Sequence, residues 1–142
     1  MADRGRILDD DADIAEVLRR ARRVAVVGIK PETHRQAAAH YVPAYLQRAG
    51  FEIIPVPTYF PDATEILGET VYRKVAEVPG DVDLVILFRR SADVPAHVDD
   101  IIEKRPKAVW MQSGIRNPEA AQRFADAGID VVQDRCTMVE HR

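Results

Sequence analysis

A single cysteine, Cys136, stands in the whole sequence. It excludes an internal disulfide and a multi-cysteine zinc site. No apolar run approaches the roughly 20 residues that cross a bilayer. The opening MADRGRILDDDAD lacks the apolar segment of a secretory signal, so a cytoplasmic protein is the expectation. His34, His40, His97 and His141 have no metal-ligand spacing, and no Ser–His–acid or Cys–His set emerges. No catalytic residue and no metal ligand is therefore assigned. The formal net charge of -3 gives no reason to expect nucleic acid as the main partner. Gly28 stands without the other glycines of G-x-G-x-x-G, and no acid closes the second strand to hold a ribose diol. Both absences weigh against an NAD(P)-dependent oxidoreductase.

What is present is organised around Arg23 to Pro57, RVAVVGIKPETHRQAAAHYVPAYLQRAGFEIIPVP. An apolar run, Val24–Val27, stops at Gly28; a polar loop leads to a helical pattern ending at Ala49; Gly50 precedes a second apolar run, Ile53–Val56. This is a strand–loop–helix–strand unit, in which the first loop and the helix N-terminus face a phosphate. Pro43 clashes inside a helix but is tolerated near its first turn, so the helix starts near Ala38–His40. The loop after Gly28 is then about ten residues long, more than most such connections need.

Around this unit, 142 residues make one domain. Residues 1–12 read as a mobile segment and 13–142 as the folded domain. Ile14, Val17, Leu18 and Ala21 share one face of a helix over Asp13–Arg22, with Asp13 as its cap. After Pro57 come a turn at Ile66–Leu67, a short strand at Val71–Tyr72 and a short helix near Arg73–Glu77. Leu84–Phe88 is uniformly apolar, as in a strand buried on both faces. Ser91 caps the next helix, which Pro106 ends. Ala108–Met111 is a strand. Asn117 and Pro118 start another helix, and Ile129–Val132 is the last strand. The class is α/β: a Rossmann-like, mostly parallel sheet of five strands, or six, with helices on both faces.

Ligands of such a sheet bind beyond the carboxyl ends of its strands. Those ends hold Gly28, Ile29 and Lys30; Pro55, Val56 and Pro57; Phe88, Arg89 and Arg90; and Gln112, Ser113 and Gly114. Lys30, His34 and Arg35 bring positive charge suited to a pyrophosphate or phosphomonoester. Each of these residues has a plainer reading: turn glycine, solvated basic loop or surface ion pair. Cys136 reads as a buried small hydrophobe.

On these stretches the sequence resembles the small stand-alone CoA-binding proteins, relatives of the N-terminal domain of the succinyl-CoA synthetase α subunit. The matching segments are VAVVG at 24–28, HYVPAYLQRAGFEIIPV at 40–56, EILGETVY at 65–72, VDLVILFRRS at 82–91, AVWMQSGIRNPEAA at 108–121 and DRCTMVEH at 134–141. The resemblance implies a Rossmann-like domain that binds coenzyme A or an acyl-CoA as a binding or regulatory module. No nucleic-acid or membrane partner is expected, from the net charge and the lack of a long apolar run, and the protein partner is left unnamed. An enzyme acting on an acyl-CoA is the alternative. It places Gly28–Lys30 and Arg35 around the CoA phosphates, and the other three strand ends around the rest of the ligand. The loop IKPETHRQAA departs from the family's S-x-x-P-x-R-P-S, and Pro55-Val56-Pro57-Thr58 from its P-V-N-P.

Overall fold

The computed structural model describes residues 5–142. Its chain order is β1 (Ile7–Leu8), α1 (Asp11–Arg20), β2 (Arg23–Val27), α2 (Ala38–Arg48), β3 (Glu52–Val56), β4 (Glu65–Ile66), β5 (Glu69–Thr70), β6 (Leu84–Leu87), α3 (Val98–Lys104), β7 (Ala108–Met111), α4 (Pro118–Asp126), β8 (Asp130–Val132) and α5 (Thr137–His141). Six strands form one sheet in the order β1-β8-β7-β6-β2-β3, while β4 and β5 form a separate hairpin. Every pairing in the main sheet is parallel.

The sheet is buried on both sides because β6 and β7, and β2, β3 and β8 after their first residue, are apolar at successive rather than alternate positions. In β2, Val24 and Val26 pack with Ile14 and Leu18 of α1 and with Val42 and Leu46 of α2. Ala25 and Val27 point the other way, into a cluster with Val98 and Ile101 of α3 and Ala121 and Phe124 of α4. Trp110 is fully buried, and its indole N–H donates to the Arg135 carbonyl at 2.7 Å.

Pro43 lies in the interior of α2, and the helix continues through it. A proline offers no N–H to the carbonyl four residues earlier. That carbonyl, on Ala39, instead accepts from the Lys30 N–H at 3.1 Å. The deficit created by Pro43 is thereby used to tie the β2–α2 loop to its helix.

Several local expectations are corrected. Ile7–Leu8 is not loose chain: it pairs with β8, adding the sixth strand, while residues 1–4 lie outside the described residues. Helix α1 starts and stops two residues earlier than its apolar pattern suggested, because Asp10, not Asp13, accepts the Ala12 and Asp13 N–H groups. Val71–Tyr72 is not a strand; the hairpin partner is Glu69–Thr70, and the Tyr72 N–H donates to the Pro55 carbonyl. Ser91 does not cap a helix. It begins a 3₁₀ stretch, Ser91–His97, that contains Pro95, and its hydroxyl accepts from the Arg116 N–H at 3.0 Å. After the last strand, Asp134 has φ 59°, and Cys136 is the cap of helix α5, an element absent from the sequence reading. Among the described residues no helix is long and apolar enough to cross a membrane.

Candidate functional site

Strand β2 has β3 on one side and β6 on the other, and the chain reaches β3 first. Its carboxyl end is therefore the point where the winding of the sheet reverses, which is where open α/β sheets bind ligands. A cleft of about 410 Å³ opens there, lined by Val27, Val56, Pro57, Thr58, Arg73, Arg89, Ala96, His97 and Asp100. Another groove, of about 460 Å³, lies where α1, α2 and α5 meet, lined by Ala15, Phe51, Glu140 and His141 among others; it is away from this switch point.

Gly28 sits between the flanking strands. Its N–H donates to the Val56 carbonyl at 2.9 Å, so it is not free for a phosphate. Its φ is +86°, and a Cβ there would lie 2.2 Å from the Phe88 carbonyl oxygen. The glycine is thus required by the close packing of three strand ends, a reason separate from any ligand.

Arg89 spans the cleft mouth. Its Nε–H donates to His97 Nε2 at 3.1 Å and one terminal nitrogen donates to Thr58 Oγ1 at 3.3 Å. The other terminal nitrogen is 3.7 Å from the Asp93 carboxylate. Asp93 is engaged more closely by Arg90, at 2.8 Å, and that hydrogen bond holds its carboxyl below the ordinary range. Burial, and then the Arg89 charge, push the His97 imidazole down from its ordinary value, against the opposing pull of Asp100 and Asp93. A neutral ring suits the geometry, since His97 Nε2 must accept from Arg89. Asp100 accepts from the Val75 and Ala76 N–H groups at 2.8 and 2.9 Å. Arg73 donates to the carbonyls of Tyr59, Phe60, Pro61 and Ala63, which shapes the loop beyond β3.

The residues singled out in the sequence thus divide. Val56, Pro57 and Arg89 meet at the cleft. Pro55 lies within β3, on the sheet edge, where its missing N–H costs no ladder bond. Ile29 is core, with 1% exposure. Phe88 packs partly against the same core cluster. Arg90 points to solvent and pairs with Asp93. Gln112 is buried and exchanges hydrogen bonds with Thr137, which anchors α5. Ser113 and Gly114 are exposed, and the Gly114 N–H donates to Asp134. Lys30 and Arg35 stay in the β2–α2 loop, Arg35 exposed. That loop leads into α2, whose N-cap, Ala37, offers no side-chain acceptor to the first-turn N–H groups. Thr58 closes the second strand end that the sequence marks, while Arg73, His97 and Asp100 escaped the sequence reading. Those three come from segments that only folding brings alongside.

A family model described as "CoA binding domain" matches residues 22–142. The chain belongs to this CoA-binding domain family. Within and around the family, it is 37% identical over 130 residues to the uncharacterized protein YneT of Bacillus subtilis (strain 168), covering 92% of this chain and 93% of the relative. Among solved structures, it is similar to cell-free ID.343 from Thermus thermophilus, with 36% identity, a TM-score of 0.84, and coverage of 94% of this chain and 97% of that one. A hypothetical protein from Pyrococcus horikoshii OT3 is similar at 34% identity and a TM-score of 0.83, covering 94% and 90% of the two chains. In this CoA-binding domain the family match takes in all the cleft residues, from Val27 to Asp100.

Proposed function

We propose that this chain binds coenzyme A, or an acyl-CoA, across the carboxyl ends of β2, β3 and β6, and that it does so as a binding or regulatory module rather than as a catalyst. The observation that carries the reading is the cleft of about 410 Å³ at the switch point, crossed by a guanidinium that donates to His97 and Thr58 and whose ion-pair partner, Asp93 at 3.7 Å, is bonded more closely by Arg90. Its size falls within the roughly 300–1,000 Å³ usual for ligand sites. In this reading the adenosine end lies against Pro57, Thr58 and Arg89. The pyrophosphate lies toward Lys30, Arg35 and the start of α2. An alanine is a poor N-cap, and an anion can take the place of the missing side-chain acceptor.

The non-catalytic part of the proposal is supported by how the nearest titratable side chains are occupied. His97 accepts from Arg89, and both Asp100 oxygens accept from backbone N–H groups. Among the described residues no group of three or more His, Cys, Asp or Glu could hold a metal ion.

Mass spectrometry of the purified protein under native conditions is expected to find co-purifying CoA or acyl-CoA. Added CoA is expected to raise the unfolding temperature, with a stabilisation of about 2.7 kcal/mol at a hundredfold excess over Kd, and NAD to leave it unchanged. A rise with NAD and none with saturating CoA would overturn the proposal.

A further inference from the structure

We propose that Arg89 reads a phosphate on the adenosine ribose, so that the cleft prefers a 3′-phosphorylated adenosine nucleotide to the same nucleotide without that phosphate. This rests on the CoA reading above and assigns a discriminating role to one residue within it.

Nucleotide-binding α/β sheets sense the ribose near the end of the second strand of the unit. An acid there binds a free diol, and a nearby arginine accommodates a ribose phosphate. Here β3 ends in Pro57-Thr58, with neither acid nor arginine. The charge arrives from across the sheet. Arg89 follows β6, on the far side of β2, and reaches Thr58 at 3.3 Å. It does so over Gly28: the Arg89 Cδ lies 3.4 Å from where a Gly28 Cβ would stand. The absent side chain at Gly28 leaves the path open.

The guanidinium has five N–H donors in a rigid fork. Two make hydrogen bonds, to His97 Nε2 and Thr58 Oγ1, both neutral acceptors. The carboxylate of Asp93, at 3.7 Å, is too far for a hydrogen bond and is already claimed by Arg90. Arg89 is thus oriented by two neutral acceptors, and it shares its ion-pair partner Asp93 with Arg90, which leaves one positive charge in excess over the three side chains. Arg73, the other cation lining the cleft, is likewise satisfied by carbonyls rather than by an acid. The one acid lining the cleft, Asp100, is occupied by two backbone N–H groups. A planar fork with spare donors beside a net-positive wall suits a phosphomonoester. His97 is a positioning residue: by accepting from Nε it fixes the plane of the fork.

The test is calorimetric titration of CoA and 3′-dephospho-CoA into the wild-type protein, Arg89→Gln, His97→Leu and His97→Gln. The ratio of the two affinities within one variant is the readout, because a partly unfolded fraction lowers both equally. Wild type is expected to favour CoA by about tenfold or more, the scale of a charge-assisted hydrogen bond. Arg89→Gln is expected to bring the two ligands within about threefold of each other, by the same affinity arithmetic. His97→Leu is expected to lower the ratio, and His97→Gln, whose amide oxygen can still accept, to restore it in part. Tight binding of both ligands by wild type with no preference would overturn the role of Arg89 and leave CoA binding standing. A preference that survives Arg89→Gln would do the same. Failure of wild type to bind either ligand would overturn both proposals.

Discussion

Gly28 and His97 are each held by contacts made after the chain has folded. At Gly28 the positive φ and the approach of the Phe88 carbonyl coincide. An alanine there must adopt a left-handed conformation and also displace the backbone of β6. Gly28→Ala is expected to lose at least about 2 kcal/mol of stability, measured by urea unfolding without ligand. An unchanged midpoint would contradict the strand-packing role. His97 gives a pH signature. Its protonation is disfavoured in the native state by burial and by Arg89, with Asp93 and Asp100 opposing. The unfolded chain therefore binds this proton more readily than the native one. Stability from this group is fully present above an unfolded value of about 6.5 and is lost as pH falls through the lower native value. Between about pH 7.5 and 5.5 the wild type is expected to lose more stability than His97→Gln, which has no ring to titrate. Equal losses would show that His97 is not the group responsible.

At the scale of elements, α2 and its preceding loop form one unit because of a proline. Pro43 removes the N–H that would reach the Ala39 carbonyl, and Lys30 supplies the replacement. Pro43→Ala restores a competing N–H within the helix. The Lys30 amide is then expected to exchange with deuterium faster than in the wild type, with α2 itself no less protected. Unchanged Lys30 protection would mean that the loop is held by other contacts. Helix α5 is fastened in a different way. Gln112 and Thr137 bond each other in the buried interior, Arg135 pairs with Asp11 and Glu140, and the Tyr45 hydroxyl meets His141 Nδ1 at 2.9 Å. A five-residue helix has little stability of its own, so tertiary contacts decide that it forms at all.

For the whole molecule, the two edges of the sheet are managed differently. Edge strand β3 carries Pro55, and the Tyr72 N–H covers the Pro55 carbonyl. Edge strand β1 has two residues, yet its start is fastened twice through Arg6: the Arg6 N–H donates to Asp130 Oδ1, and the Arg6 carbonyl accepts from the Val131 N–H. Leu8 is 7% exposed, buried with Ile14 and Val132. Deleting residues 1–9 removes this strand and bares β8. A loss of about 2 kcal/mol or more is expected from the apolar burial of Leu8 alone, together with self-association through the new edge. Denaturant unfolding and sedimentation read these two effects, and a truncated chain as stable and monodisperse as the full one would return residues 5–9 to the status of a dispensable tail.

By itself the sequence determined the class of fold and marked the strand ends, some of whose residues line the cleft. Unbroken apolar runs at 24–27, 53–56, 84–88 and 108–111 can be buried only on both faces, and Gly50, Pro106, Asn117, Pro118 and Gly128 mark helix ends and starts. These are local properties, carried by period, propensity and capping, and they survive without knowledge of neighbours. The carboxyl-end loops follow from the class of fold, which is why Val56, Pro57 and Arg89 were legible. Only tertiary structure decided which strand-end side chains face a cleft and which serve the core, as with Ile29 and Gln112. It also brought His97 and Arg73 to Arg89 and Thr58, made Ile7–Leu8 a strand and folded Thr137–His141 into a helix. The reason is physical: two-residue strands, one-turn helices and side chains joined across tens of residues gain their free energy from contacts distant in sequence. Nothing in the local pattern specifies those contacts until the sheet has assembled.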